Sequence, residues 1–198
     1  MILMKTIFFA LIGGVLMLVV MTCNIPAPTP TAIPLPSAAP LSTPEGPVGW
    51  LTYTDTYAGF SIQYPPDGTL FLEAMTSIDL PIAPDTNLGE KYLQIAYGSL
   101  ASPCLSSLGA GWAPGTIPQT PVTFNDIEFI QEEGAYAGAG NIYKWTAYSV
   151  SNGSVCISLE FILHATNPAM YDVPPAEFDP AAESAVFEQM MDTFQWLP

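Results

Sequence analysis

From Gly49 onward, apolar and polar positions alternate with the period of two expected of half-buried strands. Phe60, Ile62 and Tyr64 alternate with Ser61 and Gln63 before Pro65-Pro66 stops the run, and Leu93, Ile95 and Tyr97 repeat the pattern. Residues 122–124 and 127–130 flank Asn125-Asp126, which reads as a tight hairpin. The clearest hairpin joins 142–150 to 155–163 through Asn152-Gly153. With those two residues central, Val150 faces Val155, Tyr148 faces Ile157, Thr146 faces Leu159 and Ile142 faces Leu163, an apolar face interrupted by Lys144 opposite Phe161. That face predicts core. The other face pairs Ser149 with Cys156, Trp145 with Glu160 and Tyr143 with Ile162; this mixture predicts partial cover and is where a site would lie.

The period changes near the C-terminus. Asp179 is placed to cap a helix, Pro180 suits its first position, and Val186, Phe187, Met190, Met191 and Phe194 form a packing stripe at helical spacing. The chain therefore reads as α+β, an antiparallel β-sheet packed by a C-terminal helix.

The first 48 residues follow neither period. Lys5 precedes an apolar run over 7–21 that contains Gly13 and Gly14, the order of a signal segment. The run is shorter than the ~20 residues a membrane-spanning helix needs. Val20-Met21-Thr22-Cys23 resembles a lipobox, in which a cysteine following a small residue receives diacylglycerol; Thr22 departs from the usual Gly, Ala or Ser. The expected organisation is a signal peptide over 1–22, a lipidated tether over 23–48 and one acidic domain over 49–198. Prolines at 26, 28, 30, 34, 36, 40, 44 and 47 favour extended polyproline II in the tether, with a reach of roughly 70 Å at ~3.1 Å per residue.

Two segments carry a family resemblance. Tyr57-Ala58-Gly59-Phe60-Ser61-Ile62-Gln63-Tyr64-Pro65 and the closing stretch from Phe187 to Trp196, with Asp192-Thr193-Phe194, resemble the opening strand and closing helix of PsbP-like domains. The resemblance implies a sandwich of antiparallel sheet and helices, of a kind common in bacterial lipoproteins of unknown function. It also implies a non-catalytic assembly or binding module, since related domains are photosystem-associated and protein-binding factors. After Pro65, where such domains often run into a tryptophan and a first helix, this chain has Asp67-Gly68-Thr69.

Charge narrows the partners. The chain has no arginine, and beyond Cys23 only Lys91 and Lys144 oppose its 18 carboxylates, a formal charge of −16. Phosphate backbones and anionic lipid surfaces repel such a domain, so neither nucleic acid nor peripheral membrane binding is expected, and the N-terminal lipid is the membrane contact. In an exported chain Cys104 and Cys156 form an even pair, which predicts a disulfide.

Candidate chemistry is sparse. His164 is the only histidine, so a His-rich metal site is excluded and any triad must use it. Glu160 lies on the same strand face but roughly 13 Å away, too far to pair. Gly134-Ala135-Tyr136-Ala137-Gly138-Ala139-Gly140 lacks the Lys and Ser/Thr of a phosphate loop and reads as a flexible inter-strand loop. Asp79, Asp85 and Glu90, and Asp172, Glu177 and Asp179, could offer oxygen to calcium but lack EF-hand spacing. No cofactor is implied. The expectation is an extracytoplasmic, non-catalytic surface lipoprotein that binds a protein or envelope component through Trp112, Tyr143, Trp145 and Glu160. The alternatives are a solute or carbohydrate binder using the same aromatics and, more weakly, a hydrolase using His164.

Overall fold

The structure is a computed structural model that describes residues 46–98, 103–111 and 115–198. The leader, Cys23 and nearly all of the tether lie outside the described residues. The period-two segments form strands in two antiparallel sheets. The smaller is ordered β1-β2-β10, from β1 (Leu51–Asp55), β2 (Phe60–Tyr64) and β10 (Gln195–Trp196). The larger contains β3 (Thr69–Leu72), β4 (Thr76–Asp79), β5 (Leu88–Gly98), β6 (Gln119–Phe124), β7 (Ile127–Gly138), β8 (Asn141–Ser151) and β9 (Cys156–Thr166), in the order β3-β4-β5-β9-β8-β7-β6. A single α-helix among the described residues, α1 (Pro180–Met191), precedes β10. This is the α+β class expected.

The central hairpin differs in register. Its turn occupies 152–155, not two residues, because Asn152 Oδ1 accepts the backbone N–H groups of both Ser154 and Val155. Each β8 residue therefore pairs two positions further along β9: Val150 with Ile157, Tyr148 with Leu159, Lys144 with Leu163. A shift of two preserves faces, so the expected apolar side is still the buried one. Tyr148, Val150, Ile157, Leu159, Phe161 and Leu163 all belong to the core.

Two other turns are two-residue hairpins. Asn125 and Asp126 take φ of 49° and 60° between the paired Phe124 and Ile127, as the sequence predicts. Ala139 and Gly140 take φ of 50° and 82° between Gly138 and Asn141. Residues 134–138 consequently lie inside β7, which corrects the expectation of a flexible loop there. Of the small residues there, Gly134 has a packing role, since the Trp145 ring lies across it.

Helix α1 and the small sheet cover the inner face of the large sheet. Asp179 caps the helix by accepting from the N–H groups of Ala181 and Ala182. Phe187 packs on Phe161 with ring centroids 4.4 Å apart, and Met190 and Met191 are fully buried. The helix stops at Met191. Thr193 then donates its hydroxyl to the Met190 carbonyl and accepts the N–H of Gln63, while Phe194 stacks on Phe60. The two segments that carry the family resemblance therefore meet in one cluster. Past Pro65 the chain turns through Gly68 into β3, with no helix in between.

Both domain lysines project from the inner face. Lys91 forms a buried 2.6 Å ion pair with Glu183 of α1, and Lys144 lies 5.5 Å above the Phe178 ring. Tyr97, expected on a buried strand face, is 47% exposed; its hydroxyl donates to Asp55, which also accepts from the Tyr53 hydroxyl and from the N–H groups of Tyr57 and Ala58. Burial raises the pKa of Asp55, but these hydrogen bonds outweigh it and hold the carboxyl below its ordinary range.

Candidate functional site

The outer face of the large sheet is organised in rows that cross the strands. In the first row Tyr136 of β7, Tyr143 of β8 and His164 of β9 stack in succession, with centroid spacings of 4.6 and 4.3 Å. Glu90 of β5 completes it, its Oε2 lying 2.8 Å from His164 Nδ1. His164 Nε2 lies 2.9 Å from Asn141 Oδ1. The carboxylate that meets His164 is thus on the neighbouring strand, not Glu160 on its own. Among the described residues both ring nitrogens meet polar partners, Glu90 and Asn141, and neither meets a hydroxyl or thiol, so these contacts orient the imidazole.

The second row contains Gly134, Trp145, Ile162, Tyr92 and Asp79. The Trp145 ring lies across Gly134, where a Cβ would come within 2.4 Å of it. Its Nε1 has no hydrogen-bond partner among the described residues.

The third row holds two buried acids, Glu132 of β7 and Glu160 of β9, on either side of Ala147. The small Ala147 leaves room for a loop to settle between them. Ser106 enters there, donating its N–H to Glu132 Oε2 at 2.8 Å and its hydroxyl to Glu160 Oε1 at 2.6 Å. Glu160 also accepts from Gln94 and Ser107. Burial nevertheless dominates and pushes the Glu160 carboxyl above the usual range.

The predicted disulfide joins Cys104 to Cys156, with Cα atoms 5.6 Å apart, and pins this loop at the start of β9. Gly98 beside it leaves room for the sulfur, since a Cβ there would come within 2.8 Å of Cys156 Sγ. The following 3-10 turn, Ser107–Gly111, brings Leu108 over Trp145, and Ile117 packs on the same cluster. Trp145 and Glu160 are consequently 3% and 0% exposed. This corrects the expectation that they line an open binding surface: the loop occupies their face. Tyr143 is half-buried, and Trp112 lies outside the described residues.

The outer face stays open beyond β9. There the β3–β4 turn curls over β4 and β5 to form a groove of about 560 Å³, walled by Phe71, Glu73 and Met75 and floored by Ser77, Asp79, Tyr92 and Gln94, with Glu90 at one end. Phe71 and Met75 are exposed. Partial burial, and then the charge of Glu90, push the Asp79 carboxyl above its ordinary range. No group of three or more His, Cys, Asp or Glu among the described residues is gathered to hold a metal ion, so Asp79, Asp85 and Glu90 do not converge on one. No helix among the described residues is long and apolar enough to cross a membrane.

No protein-family model and no curated protein matches the sequence. Among solved structures, the chain is similar to a protein of Bacteroides thetaiotaomicron VPI-5482, with 14% identity and a TM-score of 0.43 over 74% of this chain and 48% of the other. The chain thus spans about half the length of that structure. It is also similar to LpqN of Mycobacterium tuberculosis, described as involved in cell envelope biogenesis, with 13% identity and a TM-score of 0.41 over 70% of this chain and 83% of the other. At these TM-scores neither likeness assigns the chain to a fold family.

Nothing in the sequence singled out Ser106 or Glu132, and Glu90 stood out only as a possible oxygen ligand for calcium, not as the partner of His164. Their roles depend on which strands lie side by side, and local periodicity does not encode that order. Gly134 did carry a signal: a glycine inside a strand marks a close approach, here that of Trp145.

Proposed function

We propose that this chain is a membrane-anchored, extracytoplasmic lipoprotein lipidated at Cys23, whose PsbP-like domain is a non-catalytic module that binds a protein partner. The observation that carries the binding reading is the open groove over β4 and β5. It combines concavity, exposed Phe71 and Met75, and polar groups at its floor, the features by which a surface recognises another molecule. The disulfide and the engaged His164 fit a rigid, exported scaffold better than a reaction centre. The PsbP-like reading is supported by the meeting of the two resembling segments through Phe60 with Phe194 and Gln63 with Thr193.

The test is photocrosslinking in living cells from a reactive residue at position 75, with position 128, an exposed site on β7, as control. Capture of one discrete protein from 75 and not from 128 is the expected result. Equal, diffuse labelling from both positions would overturn the binding reading.

A further inference from the structure

We propose that the groove between the β3–β4 turn and the outer face of β4–β5 docks a basic segment of the partner protein. One lysine or arginine side chain lies along Phe71 and Met75 and places its charge between Asp79 and Glu90. The inference rests on the binding reading above and adds the partner's chemistry. Three observations carry it.

The first is unbalanced charge. Glu73, Asp79 and Glu90 border the groove. Among the described residues no hydrogen bond reaches the Asp79 carboxylate, and the charge that acts on it is that of another acid, Glu90. His164 reaches Glu90 at Oε2 alone. The domain's own lysines cannot help, because Lys91 and Lys144 both stand on the opposite face of the sheet, one bonded to Glu183 and the other over Phe178.

The second is shape. A compact metal ion would want converging oxygens, and the described residues gather no such set. The groove instead pairs its acids with an apolar wall, and Phe71 and Met75 remain 41% and 59% exposed. Lysine and arginine match this, with an aliphatic stem that covers apolar surface and a head that stays with carboxylates. Tyr92 on the floor adds an aromatic face suited to a cation.

The third is the whole-chain field. A formal charge of −15 on the sequence repels acidic partners and steers basic ones toward the surface, and in a concave site the field is focused.

The test is calorimetric titration of the full-length chain, held in nonionic detergent micelles, with amidated pentalysine at about 0.15 M salt, an ionic strength that screens diffuse surface attraction. Saturable one-to-one binding is expected. Asp79→Asn with Glu90→Gln should weaken it at least tenfold, and Phe71→Ala with Met75→Ala severalfold. The charge-matched pair Asp172→Asn with Glu177→Gln, both exposed and outside the groove, should leave affinity within twofold. The proposal is overturned if wild type does not bind the peptide, or if the distant pair weakens it as much as the groove pair. It is also overturned if prior saturation with spermidine or calcium at equal charge concentration abolishes the pentalysine heat, since the occupant is then a small cation. A partner captured from position 75 whose yield is unchanged by Asp79→Asn with Glu90→Gln would leave the binding reading standing and sink this one alone.

Discussion

Ser106 donates its hydroxyl to Glu160 at 2.6 Å, in a site where the acid is fully buried. No lysine shares that face of the sheet, so hydroxyl and amide dipoles from Ser106, Ser107 and Gln94 do what a cation would otherwise do. They do not fully offset the loss of water, and the Glu160 pKa stays raised. The folded state therefore holds this proton more tightly than the unfolded chain does. The stability linked to Glu160 is fully present below its unfolded value of 4.5 and is lost as pH rises through the higher folded value. Asp55, with its lowered pKa, acts in the opposite sense: its contribution is present above the unfolded value of 3.8 and is lost as pH falls through the folded one. In urea denaturation from pH 4 to pH 7, Glu160→Gln should flatten the decline toward neutral pH. Ser106→Ala should steepen it and cost about 1–3 kcal/mol at pH 7, the range for a buried acceptor deprived of its donor. Parallel profiles for wild type and Glu160→Gln would contradict this account.

Gly134 lies under the Trp145 ring, and a Cβ there would meet ring carbon at 2.4 Å. Gly134→Ala should therefore displace the indole and cost about 1–3 kcal/mol, the usual penalty for overpacking. Adding Trp145→Leu should recover part of that loss, because the smaller side chain makes space. Additive losses in the double mutant would show that the two residues are not coupled through this contact.

The behaviour of Gly134 illustrates what the sequence could convey. Periodicity identified β2, β8, β9 and parts of β5, β6 and β7, the Asn125-Asp126 turn and the Asp179-capped helix, because each depends on residues a few positions apart; β1, β3 and β4 carried no such signal. The hairpin register was off by two, since Asn152 spreads its turn over four residues by accepting two backbone N–H groups. The inner face survived that error and the pairings did not. The Gly134 stretch was misread because small residues mark loops and close strand packing alike. Two members of the expected binding surface, Trp145 and Glu160, proved buried for a related reason. Trp145 and Glu160 were placed on the correct face, but nothing local revealed that Ser106 would find two carboxylates on strands 26 and 54 positions away. The groove was equally hidden, because it exists only where the β3–β4 turn folds over β5.

Reducing the Cys104–Cys156 bridge should loosen the cover over Trp145. Its loop of 52 positions corresponds to about 4 kcal/mol in the chain-entropy model. Cys104→Ser with Cys156→Ser should lower thermal stability accordingly, and limited proteolysis should cut first within 103–111. Ser106 still bridges Glu132 and Glu160 after reduction, so full exposure should require Ser106→Ala as well. A red shift of tryptophan emission is expected in the combined variant. Unchanged cleavage between 103 and 111 in the double cysteine variant would show that the carboxylates alone hold the loop.

The lipid at Cys23 is proposed as the membrane contact of a strongly acidic chain, and this sets the sharpest cellular test. Acyl chains contribute roughly 0.8 kcal/mol per buried methylene, so two or three of them hold the chain without help from the domain. Cys23→Ser should move the protein from the detergent phase to the aqueous phase, while the domain keeps its thermal transition, because its core begins beyond the tether. Thr22→Gly restores the small residue usual before the cysteine and should raise the fraction of mature, lipidated protein, read as a mobility shift on gels. If Cys23→Ser stays in the detergent phase as firmly as the native chain, the apolar run over 7–21 is acting as an uncleaved anchor instead. In that case Thr22→Gly should leave the gel mobility unaltered, so the two substitutions together separate lipid from peptide as the anchor.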